Sequence, residues 1–259
     1  MVLEFIDAVG KKALSAAEGL GRLGMFFRRA ILTMFTTRMK FFEIIHQMNH
    51  IGVNSWGVVA LTGAAVGGVL AVHTYEGLSR FGMYQYIGPI VVISMAREFG
   101  PMLSAIMVTG RAGSAMTAEI GTMRITEQID ALTTLSINTH RYLMVPRMIA
   151  TAIIMPFLSL ICTVFGTTAG YLVSIYSLKI NQEIYLSSIR ENVLMKDITM
   201  GLVKSVVFGI LLSTIACYKG DTTEGGSKGV GLSTTQSVVY ACVTIFITDY
   251  ILSSLMFTS

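Results

Sequence analysis

The sequence predicts an all-α membrane protein. An amphipathic N-terminal helix lies at the membrane interface, five membrane-spanning helices follow, and the N-terminus is inside and the C-terminus outside. Three observations predict this. Of 259 residues, 53% are hydrophobic and only 13% charged, with mean hydropathy +0.67, whereas soluble domains carry about 25% charged residues. The apolar residues form five runs, each long enough for a hydrocarbon core of about 30 Å. The basic residues, which give a pI near 9.0, punctuate those runs, whereas a nucleic-acid binder gathers them on one face among stacking groups. The same composition excludes an ordinary soluble enzyme, a disordered chain and a secreted disulfide scaffold.

In the N-terminal segment Glu4, Asp7, Lys11, Ser15, Glu18 and Arg22 step by three or four. Val2, Ile6, Val9, Ala13, Ala17, Leu20, Leu23 and Phe27 do the same on the opposite stripe. Such a helix lies flat in the headgroup region. Glu4, Asp7, Lys11 and Lys12 interrupt any signal-peptide core. Arg28, Arg29, Arg38 and Lys40 then form a basic approach to the first span. Residues 1–50 are the interfacial region and residues 51–257 the five-span bundle, one domain over 1–259. The spans are expected near 51–74, 84–109, 146–176, 198–218 and 236–257. The third is long enough to tilt or project.

Orientation follows from the loops. Thirteen basic residues (Lys11, Lys12, Arg22, Arg28, Arg29, Arg38, Lys40, Arg111, Arg124, Arg141, Arg147, Lys219, Lys228) fall inside when the N-terminus is inside. Four (Arg80, Lys179, Arg190, Lys196) fall outside, in accord with the positive-inside rule. Gly63–Gly67 and Gly166–Gly170 are GxxxG pairs, which permit close helix approach and also arise by chance in a glycine-rich chain. The 17 Met residues read as adaptable filling. Cys162, Cys217 and Cys242 have no metal or disulfide spacing and read as small core residues.

Few motifs carry chemistry. Gly220 to Ser227 resembles a P-loop only in its glycines, because Gly226 stands where the lysine must be. An intramembrane nucleophile at Ser114, with His73 or His140 as base, has the residue types but nothing that positions them. A channel would need repeated rings of charge, and no span has them. The segment from Gly110 to Arg147 is more informative. Within 117–132, Glu119, Arg124, Glu127 and Asp130 alternate with Ile120, Met123, Ile129 and Leu132. A short amphipathic helix outside the bilayer reads equally as a docking knob for a soluble partner or as a self-packed loop helix.

Three stretches carry a resemblance: Arg97-Glu98-Phe99-Gly100-Pro101, Gly110-Arg111-Ala112-Gly113-Ser114, and the run from Glu119-Ile120-Gly121-Thr122-Met123-Arg124 through Asp130-Ala131-Leu132. Together they are similar to the MlaE family, permease subunits of ABC transporters that move phospholipids between bacterial inner and outer membranes and maintain outer-membrane lipid asymmetry. The resemblance implies a multi-pass protein of the bacterial inner membrane, so that the outside is periplasmic. It implies a homodimer with no cofactor of its own, because ATP is bound by a separate ABC ATPase subunit. That subunit is expected to dock on the cytoplasmic coupling helix between spans two and three, at Glu119, Gly121, Arg124, Glu127 and Asp130. A STAS-domain regulatory subunit and a periplasmic MCE-domain hexamer complete the implied assembly. An intramembrane enzyme and a non-transporting scaffold are the alternatives.

Ionisable groups at membrane depth need a partner or a function. Lys204 and Asp249 lie at similar depth near the outer ends of spans four and five, with Glu98 slightly deeper, so Lys204 is expected to pair with Asp249, Glu98 or both. Such a cluster either locks the helices or takes part in opening and closing. Arg97 points about 100° away from Glu98 on a regular helix, toward a phosphate headgroup or toward water. Pro101 should kink the span. For the implied lipid, Leu70, His73, Thr74, Leu78, Phe81 and Arg97 are the expected cavity lining, an apolar wall with a few polar groups.

Overall fold

The computed structural model describes residues 10, 14, 18–19, 21–33 and 41–257, and among them there is no strand. Nine helices follow: α1 (residues 21–33), α2 (Phe41–Gly52), α3 (Trp56–Ser79), α4 (Tyr84–Ile125), α5 (Gln128–Thr134), α6 (His140–Ser177), α7 (Gln182–Asn192), α8 (Met195–Asp221) and α9 (Gly226–Phe257). Five of them, α3, α4, α6, α8 and α9, are long and apolar enough to cross a membrane.

Most of the N-terminal amphipathic stripe, including Glu4, Asp7, Lys11 and Ser15, lies outside the described residues. Within them, Glu18 and Arg22 are 3.7 Å apart on an exposed surface. Phe26, not Phe27, is the buried aromatic, and its ring meets His140 at 5.1 Å and Tyr218 at 5.6 Å.

The helix boundaries correct the sequence reading in four places: the third span starts at His140 rather than residue 146, the fifth starts at Gly226 rather than residue 236, and the first two spans differ as follows. The first span starts at Trp56 rather than residue 51, because residues 41–52 form the separate amphipathic helix α2, which buries Ile44 and Ile51. Gly52 at its end sits so close to Ile154 that a Cβ would lie 2.7 Å from that side chain. The second span does not stop at residue 109. α4 runs 42 residues to Ile125, roughly 63 Å at helical rise, about twice the hydrocarbon thickness. The chain stays helical through Gly110 to Ser114 because the turn Thr109–Gly113 is widened, with the Ser114 N–H reaching Thr109 O. Beyond it, Thr117 Oγ1 contacts Ala216 O of α8 at 3.1 Å and Ser237 Oγ of α9 at 2.9 Å. The 117–132 stretch is therefore two elements. Its first half belongs to α4, the chain breaks at Thr126–Glu127, where Glu127 takes φ 59, and α5 follows.

α3 and α6 pack along their glycines. A Cβ on Gly63 would lie 2.4 Å from Cys162 O, and one on Gly67 would lie 2.0 Å from Gly166 O. Gly166 in turn faces Gly63 O and Gly170 faces Gly67 O. The register advances in the same direction on both helices, so the two run parallel with backbone on backbone. α8 is the central span, with 67% of its apolar window buried against 11% for α9. Met95, Met155, Leu158, Phe208, Leu212 and Ile245 fill the core between them. The start of α3, the end of α4, the start of α6 and the turn between α8 and α9 share one end, here termed the basic end for Arg111, Arg124, Arg147 and Lys219. That α8–α9 turn contains the P-loop-like glycines: Gly225 and Gly226 take φ 87 and 68, backbone that L side chains rarely adopt.

Candidate functional site

The site begins with a defect in α4. Pro101 has no N–H to donate to the preceding turn, and the turn Met95–Phe99 widens so that the Gly100 N–H bonds Met95 O, five residues back. Such turns put side chains where a regular helix cannot. The position where a proline kink is expected is thus occupied by this wide turn. Thr163 Oγ1 of α6 lies 3.4 Å from Met95 O. Gly201 of α8 rests on the carbonyl of Ala96, where a Cβ would be 2.0 Å away. α8 thus approaches α4 where its backbone is open.

Arg97 and Glu98 sit on that turn and both engage α8. Lys204 Nζ donates to Glu98 Oε2 at 2.5 Å, to Asp249 Oδ1 of α9 at 2.9 Å and to Ser253 Oγ at 2.7 Å. All three ammonium donors are thereby used, and Lys204 is 2% exposed. Ser253 Oγ lies 3.1 Å from Glu98 Oε1 and 2.8 Å from Asp249 O, which closes the network. Arg97 meets Asp197 through Nε, 2.6 Å from Oδ1, and through Nη2 on the same oxygen. Asp197 is 1% exposed, and its Oδ2 accepts the Leu194 N–H at 2.9 Å to cap the start of α8. Asp197 and Lys204 are seven residues apart, two turns on one face of α8. Neighbouring residues of α4 thus hold two levels of α8 with opposite charges.

At the basic end Arg124 Nη1 and Asp130 Oδ1 are 2.8 Å apart across the break between α4 and α5. Glu119 pairs with Arg147 of α6 at 2.7 Å, the arginine 3% and the glutamate 59% exposed. Gly121 faces Thr223, and Glu127 forms the left-handed link. Arg111, on the second widened turn, donates to Ser55 Oγ at 3.0 Å and to His50 O at 2.8 Å, tying α4 to α2. Ser114 Oγ is spent on its own helix, 2.5 Å from Gly110 O and 2.9 Å from Arg111 O.

The residues expected around a lipid divide between two surroundings. Leu70 and Leu78 pack on the core among Tyr75, Ile87, Val91 and Tyr185. His73 is exposed beside Glu76, with Nδ1 4.0 Å from Oε2. Phe81 is 77% exposed, Thr74 is half-buried, and Arg97 is engaged by Asp197. Sequence reasoning missed Asp197 and Ser253, and it gave Arg111 and Arg147 no partner. Asp197 stands three residues after Leu194, the spacing of a capping box, but Leu at the cap position hides the signature.

Five apolar spans around a buried ion network define a multi-pass α-helical membrane protein. Residues 44–255 match the family described as Permease MlaE, and the chain belongs to that family. It is 42% identical over 257 residues to a probable ABC transporter permease protein of Rickettsia bellii, covering 99% of each chain. It is 33% identical over 258 residues to the intermembrane phospholipid transport system permease protein MlaE of Haemophilus influenzae, again 99% of each. It is also 37% identical over 231 residues to the chloroplastic TRIGALACTOSYLDIACYLGLYCEROL 1 protein of Arabidopsis thaliana, covering 88% of this chain and 65% of that one. The chain is accordingly an ABC transporter permease subunit, not itself an enzyme, and its class works with a separate ATPase in a membrane.

Proposed function

We propose that the chain is the permease of a system that moves phospholipids between the inner and outer membranes, placed in a bacterial inner membrane as a single domain over residues 1–259. Phospholipid as cargo rests on the likeness to the phospholipid-transport permease MlaE, and the observation that supports a coupled permease most directly is the continuity of α4. One helix carries Arg97 and Glu98 at one level and Arg111, Glu119 and Arg124 at the basic end. A push at the basic end is thereby transmitted to the ion network without crossing a loop. The N-terminus and the basic end are cytoplasmic, as the basic residues favour, and the C-terminus is periplasmic. The ATPase, which binds ATP, docks on the coupling segment at Glu119, Gly121, Arg124, Glu127 and Asp130. A STAS-domain subunit regulates that ATPase.

Two copies form the permease, and an MCE-domain hexamer receives or delivers lipid on the periplasmic side. Leu70, His73, Thr74, Leu78 and Phe81 contribute the lipid path from the far half of α3, with Arg97 offering its charge to the headgroup when Asp197 releases it. The test is transfer between two membranes by the reconstituted complex, with labelled phospholipid placed on each side in turn. ATP-dependent movement in one direction is expected. Absence of phospholipid movement in both directions, with ATP hydrolysis intact, overturns the reading.

A further inference from the structure

A polar cavity lies at the basic end, away from the Lys204 network. It is about 230 Å³ and is lined by Glu43, His46 and Gln47 of α2, Glu119 of α4, and Tyr142 and Arg147 at the start of α6, with Leu143 and Pro146. Glu43, His46 and Gln47 are spaced three and four apart, so they form one face of α2. The neighbouring face of the same helix is apolar and open, with Phe41 76%, Phe42 81% and Ile45 62% exposed. An amphipathic helix that displays two phenylalanines beside a row of polar groups sits at the headgroup level, with the rings in the acyl boundary.

The chemistry of the lining is mixed. Arg147 is almost fully buried, its Nη2 is held by Glu119, and its Nη1 has no hydrogen-bond partner among the described residues. A half-used buried guanidinium is costly, and a small shift that opens its Nη1 to the cleft lets an anionic oxygen complete it, for which phosphate is the natural fit. The lining sets two carboxylates, Glu43 and Glu119, against the one guanidinium of Arg147, so it disfavours a bare anion and favours a ligand that brings a cation beside its anion. A volume of about 230 Å³ is below the roughly 300–1,000 Å³ of pockets that enclose a drug-sized molecule, so it takes a headgroup and leaves the acyl chains outside, along Phe41, Phe42 and Ile45.

We propose that this cleft is a binding site for the headgroup of a zwitterionic aminophospholipid of the adjoining leaflet, its phosphate at Arg147, His46 and Gln47 and its ammonium at Glu43. The site holds a resident lipid that wedges α2 against α4 and α6. It stands on the membrane setting alone and does not depend on which lipid is transported.

The test uses the full-length chain in nanodiscs of equal phosphatidylethanolamine and phosphatidylglycerol, read by native mass spectrometry after collisional removal of loosely held lipid. Wild type is expected to retain phosphatidylethanolamine in about tenfold preference, the effect of one charge-assisted contact. Glu43→Gln should bring that preference near one, and His46→Ala should lower retention of both lipids. Both positions are outside the buried core, so the variants fold. Equal retention of the two lipids by wild type overturns the proposal, as does a preference unchanged in Glu43→Gln. Displacement of the retained lipid by millimolar glycerophosphoethanolamine would assign the site to a soluble headgroup compound and overturn the membrane-lipid source. Crosslinking of a His46→Cys variant to the ATPase in the assembled complex, without retained lipid, would give the cleft to that subunit and equally overturn it.

Discussion

The molecule contains two sets of ion pairs of nearly equal length in opposite surroundings. Around Lys204, groups from α4, α8 and α9 meet at 2.5 to 2.9 Å, with the ammonium 2% exposed. At the basic end Arg124 and Asp130 meet at 2.8 Å with 39% and 59% of their side chains exposed. Distance does not separate the two sets; water does. An exposed pair contributes about 0–1 kcal/mol because solvent serves either partner nearly as well. A buried network returns little net stability, yet removal of one member leaves a charge with no solvent to take it. The first set therefore ties three spans together and changes only when helices separate. The second is free to exchange its partners for those of another subunit.

The strongest way to break this comparison is Lys204→Met. Glu98 and Asp249 then face one another without a cation, and the loss should be about 3–5 kcal/mol, seen as a lower midpoint of thermal unfolding in detergent. Adding Glu98→Gln and Asp249→Asn to the same chain should recover most of that loss, because neutral groups no longer repel. A Lys204→Met protein as stable as the wild type would place the network in water and remove the contrast.

The next effect asks whether charge or backbone contact holds the bundle. Gly67→Ala puts a methyl carbon 2.0 Å from Gly166 O, so α3 and α6 must part. Overpacking of this kind costs about 1–3 kcal/mol. Gly57→Ala is the control: nothing lies within 4 Å of its Cβ position, and the change should stay within about 0.5 kcal/mol. If both variants unfold with the wild type, the glycine contact is not a source of stability and the ion network holds the bundle instead.

The two regions also differed in how far the sequence foretold them. The meeting of Glu98, Lys204 and Asp249 is readable from depth along apolar spans, because hydrocarbon leaves an ionisable group few alternatives. The GxxxG spacing names the α3–α6 contact but cannot distinguish it from chance in a chain with 25 glycines. The partner of Arg97 was out of reach. Asp197 stands one residue before the expected start of a span and reads as a loop acid, and the widened turn that aims Arg97 at it depends on Pro101 and Gly201 meeting in space. At the basic end, Gly110 to Ser114 reads as loop by composition, whereas contacts of Thr117 with α8 and α9 keep it helical. The break at Thr126–Glu127 has neither Gly nor Pro to announce it.

Glu119 lies between the two extremes and sharpens the comparison, since its own carboxylate is 59% exposed while its partner Arg147 is 3% exposed. Glu119→Ala should therefore cost more than an exposed pair, about 1–3 kcal/mol, because the guanidinium is left buried without its acceptor. Arg124→Ala and Asp130→Ala should each change stability by no more than about 0.5 kcal/mol. Their effect belongs elsewhere. With the ATPase subunit reconstituted, both should lower stimulated ATP hydrolysis while the unfolding midpoint stays where it was, and Glu119→Ala should lower both. That split separates a residue that holds the permease together from residues that hold the partner. If Arg124→Ala and Asp130→Ala leave stimulation intact at wild-type stability, the ATPase reads another part of the basic end. Arg111 is then the next residue to change, because it joins α4 to α2 through Ser55 and His50 and offers the remaining path from that end into the long helix.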